Sequence, residues 1–488
     1  MIMQKDLNKK IGQATKWSTV TEISTKLIAP VTNAILARLL APDAFGVVAT
    51  LTMVITFAEI FTDAGFQKYL VQHEFADEED LDLSTNVAFW TNMIFSLAIW
   101  VGIAVFAKPI ARLVGSEGHE AAIIVISAEI PILAFSSIQM ARLRRDFDFK
   151  NLFFMRLGVA LVPLLITVPA AFLLRNYWAL VIGTLAKEIL SAIVLMARSR
   201  WKPAFQFAFS KLKDMLSFSI WTIVENVTIW LSTNAGTFIV GAILGAYFLG
   251  MYKTTINTVT GCFNIIQGAT MPVLFTALSR CQDDDRAYRT VFFDIQEKLA
   301  VLVFPLGFGV FVYRELGTLI LLGSQWSETA DLFGLRSLMQ AFLIIFSYFN
   351  SEAFRSKGRP MLSALAQVTE LVFAVPLLYW SSNQSYDTLV ICSTLSRCVL
   401  IAATSIIANF TIGIGFLSVL KNVWPSMAAS VIMAIFGAIV RTLIPGILWE
   451  LFTVILCVMV YAVCMCVIPA GRRQLAEVPI VNKILRLQ

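Results

Sequence analysis

The sequence predicts an all-α polytopic membrane protein of about 14 transmembrane helices, and three observations lead there. Hydrophobic residues make up 58% of the 488 and charged residues only 14%, with a mean hydropathy of +0.76. That composition leaves too little polar surface to coat a water-soluble body of this size. The apolar residues come in stretches of roughly 20, the length a helix needs to cross a hydrocarbon core. These stretches, such as 159–174 and 451–469, are continuous rather than alternating, which argues against a membrane β-barrel.

In order, the expected spans are 15–37, 44–66, 84–107, 120–141, 152–174, 177–197, 215–242, 247–278, 291–313, 327–350, 361–381, 385–410, 421–442 and 446–469. Residues 1–14 are polar and basic, and no cleavable signal peptide is expected. The cysteines fall mostly in apolar runs, and His73 and His119 are the only histidines. That pattern predicts no metal site, no disulfide scaffold and no cofactor.

The net charge of +6 is spread between spans, so it reads as a topology signal and not as a nucleic-acid surface. Roughly 27 of the Lys and Arg residues fall in the two tails and the even-numbered connections, against about six in the odd-numbered ones. The positive-inside rule then puts both termini in the cytoplasm.

The chain also repeats itself. Residues 17–50 lie on 221–254 without a gap, with Trp17/Trp221, Val20/Val224, Leu27/Leu231, Ile35/Ile239, Leu40/Leu244, Gly46/Gly250 and Thr50/Thr254 identical. The acidic stretches 77–80 and 283–285 follow at nearly the same offset. The expected organisation is an N-terminal six-helix lobe (1–200), a basic cytoplasmic linker (201–214), a C-terminal six-helix lobe (215–410), two additional helices (411–470) and a cytoplasmic tail (471–488).

Charges inside spans are costly and usually face a wet interior, so they mark where chemistry can sit. In the first span Glu22 and Lys26 share a face beside Trp17; the second span carries Glu59 and Asp63 at the same spacing. Glu225 lies in the repeat mate of the first span. Glu129, Lys187, Glu188, Lys253 with Asn257, Arg336, Glu370 and Arg397 lie in later spans. For each, a structural contact between helices is the competing reading. Cations of this kind bind phosphate oxygens, and carboxylates can titrate or hold a coupling cation. The run at 283–285 reads as a solvated charge run, and no phosphate-cradling glycine loop or zinc-protease motif is present.

Several segments carry a family resemblance. ILARLLAPDAFGVVAT (35–50), FAEIFTDAGFQKYLVQ (57–72) and EEDLDLSTNVAFWTN (78–92) resemble the polysaccharide transporter family of the MOP (multidrug/oligosaccharidyl-lipid/polysaccharide) exporter superfamily, the Wzx-type flippases, near the colanic-acid-type branch. The segments at 141–153, 244–285 and 319–342 continue the likeness. The resemblance implies two six-helix lobes in a V around a central cavity, plus two C-terminal helices. It implies alternating access in a bacterial inner membrane, coupled to a proton or sodium ion, and no enzymatic activity. The implied cargo is an undecaprenyl-pyrophosphate-linked oligosaccharide moved from the cytoplasmic to the periplasmic leaflet. Membrane lipids and the polysaccharide polymerase machinery are the implied partners, and nucleic acid is not.

On position and type, Lys26, Lys187, Lys253, Arg336, Trp17 and Asn257 are the candidates for pyrophosphate and sugar, and Glu22, Glu59, Asp63 and Glu225 for ion coupling. The rival readings are a multidrug or small-molecule antiporter on the same scaffold, a membrane polymerase or ligase of polysaccharide assembly, and a scaffold for the synthesis machinery.

Overall fold

The computed structural model describes residues 28–63, 66–73, 75–145, 149–199 and 201–476. Among them no strand occurs, and 12 helices are long and apolar enough to cross a membrane. After the shorter apolar helix α1 (Ile28–Leu39), the 12 spans lie in α2 (Pro42–Asp63), α3 (Glu78–Val105), α4 (Glu120–Arg145), α5 (Asn151–Leu174), α6 (Trp178–Arg198), α7 (Phe209–Arg280), α8 (Asp285–Val312), α9 (Ser324–Ser356), α10 (Met361–Ser382), α11 (Tyr386–Thr411), α12 (Phe416–Val440) and α13 (Ile447–Val467). Two features separate this set from the fourteen expected spans. The first span is described only from Ile28, and the seventh and eighth are two helices that meet at a kink at Gly245 and together make up α7.

Helix boundaries follow local chemistry. α2 opens on Pro42, whose fixed φ suits a first helical position, with Asp43 in the first turn. α3 is capped by Asp77, whose side chain accepts from the Asp80 N–H at 2.8 Å. α8 is capped in the same way by Asp284, which accepts from the N–H groups of Arg286 and Ala287, both at 3.0 Å. The two acidic stretches that recur in the sequence are therefore the N-caps of corresponding helices, a more specific role than a solvated charge run.

Inside α7 the break falls on one residue, Gly245, at φ 82° and ψ −179°. A side chain at that φ would clash with its own backbone, so glycine is what allows the chain to turn there and resume as helix.

The chain divides into two compact units, Met1–Lys253 and Thr254–Gln488. In the first, a core of Val47, Leu51, Ile55, Ile123, Ile126 and Val181 ties α2, α4 and α6. Polar pairs add register: Asn92 of α3 donates to Ser137 Oγ of α4 at 3.0 Å, and Arg142 pairs with Asp82 at 2.8 Å. The repeat also becomes physical here. Gly46 and Gly250, which the sequence sets in register, meet each other where α2 crosses α7. A Cβ on Gly46 would run into the Ala246 carbonyl and stand 2.9 Å from the Gly250 nitrogen. A Cβ on Gly250 would run into the Pro42 carbonyl and stand 2.9 Å from the Gly46 nitrogen. The contact is reciprocal, as a local two-fold relation between repeat mates requires.

In the second unit, Val301, Tyr313, Ala429, Met433, Tyr461 and Met465 pack α8, α12 and α13 together. A polar chain runs beside this core. The fully buried Gln296 donates to the Ile345 carbonyl at 3.0 Å, inside a π-helical turn of α9 at Ile344–Tyr348. Asn422 donates to the Phe293 carbonyl at 2.9 Å, Gln474 donates to the Asn422 carbonyl at 3.0 Å, and Ser426 donates to Gln474 Oε1 at 2.9 Å. A π turn leaves carbonyls out of the regular ladder, and a buried amide satisfies one of them. The same chain fastens the last two spans to the rest of this unit.

Candidate functional site

The interior charges of each unit gather into a cluster of its own. In the first unit, α2 supplies Glu59, α4 supplies Glu129, and α6 supplies Lys187 and Glu188. Lys187 Nζ lies 2.9 Å from Glu188 Oε1, and Glu188 is buried. Glu129, Glu59, Glu188 and Lys187 act on one another electrostatically, so four charges from three helices share one region. Three carboxylates and one ammonium make that region acidic. Among the described residues no group of three or more His, Cys, Asp or Glu side chains converges tightly enough to hold a metal ion.

Lys253 closes the first unit. It lies about 12 Å along α7 beyond the Gly245 break, by helical rise, and is mostly buried. It has no hydrogen-bond or ion-pair partner among the described residues. Asn257 follows one turn later on the same helix and is exposed.

The second unit carries the opposite balance. Arg397 of α11 lies 2.8 Å from Glu370 of α10, and Arg336 of α9, only 5% exposed, acts on the same carboxylate. Two guanidinium groups thus share one acid.

Trp17, Glu22 and Lys26 lie outside the described residues. Asp63 and Glu225 belong to α2 and α7, but their side chains are not among those described. Of the sequence candidates, Lys187 has Glu188 as its counter-charge and Arg336 faces Glu370. The association of Glu59 with Glu129 and Glu188, and of Arg336 with Glu370 and Arg397, was not legible before the helices were packed. The signal available in the sequence was that each charge sits inside an apolar run.

A family model described as "Polysaccharide biosynthesis protein" matches residues 35–331, more than half of the chain. The chain belongs to this family. Two curated relatives agree with that membership. The succinoglycan biosynthesis transport protein ExoT of Rhizobium meliloti is 26% identical over 70% of this chain and 67% of its own. The lipopolysaccharide biosynthesis protein WzxC of Escherichia coli is 20% identical over 66% of this chain and 65% of its own. Among solved structures, the lipid II flippase MurJ in an inward closed conformation superposes with a TM-score of 0.73 at 13% identity, covering 93% of this chain and 98% of its own. That likeness fixes the fold. Its 12 long apolar helices among the described residues make this family member a multi-pass membrane protein.

Proposed function

We propose that this protein flips an undecaprenyl-pyrophosphate-linked sugar repeat unit from the cytoplasmic to the periplasmic leaflet of a bacterial inner membrane, by ion-coupled alternating access, for polysaccharide biosynthesis. Both termini are cytoplasmic in this reading, as the Lys and Arg distribution requires. Lipid-leaflet transfer needs a place for a large anionic headgroup within the membrane, and no bond is made or broken. The family membership supports transport in polysaccharide biosynthesis, and the relatives' names point the same way.

The observation that carries the headgroup assignment is Lys253. A cation held inside a span is costly, and a pyrophosphate is the kind of charge that offsets it through charge-assisted hydrogen bonds. Lys187 and Arg336 already face acids within their own units, so they rank behind Lys253. Lys26, Trp17 and Asn257 complete the proposed headgroup set. Glu59, with Glu22, Asp63 and Glu225, is assigned to coupling with a proton or sodium ion, and the region that Glu59 shares with Glu129 and Glu188 supports it.

Flipping of a fluorescent undecaprenyl-pyrophosphate-linked oligosaccharide by the full chain in proteoliposomes tests the assignment. Lys253→Gln is expected to lower the rate at least tenfold, with Lys253→Arg recovering part of it. Wild-type rates for Lys253→Gln would remove Lys253 from the headgroup site. Absence of flipping by the unmodified protein would remove the function itself.

A further inference from the structure

The first unit carries a second feature outside the proposed headgroup set. A groove of about 670 Å³, within the range of ligand sites, runs between α4 and α6. Phe135, Ile189, Ile193 and Met196 wall it, and Ala197 leaves it open. Ile189 and Ile193 are 45% and 61% exposed, so the groove is open along its length and not sealed in the core. One residue in the lining is charged, Lys202, just past the end of α6.

Lys202 belongs to a linker that is fastened to α3. Trp90 Nε1 donates to the Ala204 carbonyl at 2.8 Å, the Ala204 N–H donates to Asn86 Oδ1 at 3.0 Å, and Asn86 Nδ2 donates to Gln206 Oε1 at 3.2 Å. Lys211 forms an ion pair with Asp80 further on. Held this way, the linker turns Phe205, Phe207 and Phe209 outward, with Phe205 91% exposed and its ring stacked on Trp90 at a centroid distance of 4.6 Å. Outward aromatic rings beside basic residues are the composition of a segment lying at the membrane–water interface. From Arg198 to Lys213 the sequence has no acidic residue. The Lys202 ammonium donates to the Met196 carbonyl, which uses one of its three N–H groups and leaves two for an external acceptor.

We infer that this groove and linker form a binding site for an anionic phospholipid of the cytoplasmic leaflet, with an acyl chain between α4 and α6 and the headgroup phosphate on Lys202. An apolar groove between two membrane-spanning helices suits an acyl chain, and a linker with basic and no acidic residues selects among phospholipids by charge. The site is separate from the headgroup assignment made for Lys253, and binding is read without any transport step.

The full-length protein, purified in mild detergent, is equilibrated with phosphatidylglycerol or phosphatidylcholine, and the bound lipid is counted by native mass spectrometry. Retention of phosphatidylglycerol is expected to exceed that of phosphatidylcholine. Lys202→Gln should lower phosphatidylglycerol binding about fivefold, which corresponds to about 1 kcal/mol for one lysine near an anionic surface. Ala197→Trp should fill the groove from an exposed position and lower retention of both lipids. Lys202 is exposed, so its substitution leaves the fold intact, and an unchanged melting temperature checks that for both variants. Equal retention of the two lipids, or wild-type retention by both variants, would overturn the site. Displacement of phosphatidylglycerol by an equimolar amount of undecaprenyl pyrophosphate would also overturn it, because the groove would then belong to the cargo.

Discussion

The two units differ most where a repeated chain is free to differ. Between repeat mates, the contact of Gly46 with Gly250 is backbone against backbone, and the caps at Asp77 and Asp284 do the same task at the start of α3 and α8. The interior charges share nothing of this kind. Glu59, Glu129, Glu188 and Lys187 give the first unit an acidic cluster, whereas Arg336, Arg397 and Glu370 give the second a cationic one. Backbone crossings and caps tolerate little change, because a Cβ or a lost acceptor is felt at once. The repeat therefore carries the scaffold, and its halves differ in the sign of their interior charges.

The cationic cluster offers the strongest way to break this comparison. Glu370→Gln leaves Arg397 and the buried Arg336 sharing no carboxylate. Removing one partner of a buried pair costs several kcal/mol, and because Arg397 is 34% exposed the loss here should be on the order of 3 kcal/mol. The apparent melting temperature in detergent should fall accordingly, and Glu370→Gln combined with Arg397→Gln should recover part of the loss. Additive losses in the double variant would mean that the residues do not act as a cluster. Next in size is the crossing. Gly46→Ala forces a Cβ onto the Ala246 carbonyl, an overpacking expected to cost about 1–3 kcal/mol. Gly102→Ala in α3 meets nothing within 4 Å and should be neutral or mildly stabilising. Equal melting temperatures for the two variants would show that the repeat contact is loose.

Much of this was legible in the sequence because the membrane imposes strong rules on it. Apolar length located the spans, and the gapless repeat set Gly46 against Gly250 before any contact was visible. Other features were hidden for physical reasons. The separation of 215–242 from 247–278 was expected, but its reduction to a single φ angle at Gly245 was not. The π turn at Ile344–Tyr348 and the Gln296 amide that satisfies it are set by packing of α8 on α9. Glu129 looked no different from any other acid in an apolar run, because its company of Glu59 and Glu188 comes from helices distant in sequence. The groove beside Lys202 was invisible for a similar reason, since 201–214 reads as a basic linker until Asn86 and Trp90 hold it in place.

The smallest expected effects, at the acidic cluster, sharpen the comparison most. Glu188→Gln takes away the carboxylate nearest Lys187, but the lysine side chain is 43% exposed, so the pair is screened and its loss should cost no more than about 1 kcal/mol. Glu129→Gln removes one like charge from a set of three carboxylates and should leave the melting temperature unchanged or slightly raised. Opposite small signs at two neighbouring acids would mark a site where charge is held for use and not for stability. Transport then separates the roles. If the cluster couples an ion, Glu129→Gln and Glu59→Gln should alter the pH or sodium dependence of flipping while the protein stays as stable as wild type. Wild-type dependence in both variants would make the acidic cluster structural, and the difference between the two units would then carry no coupling.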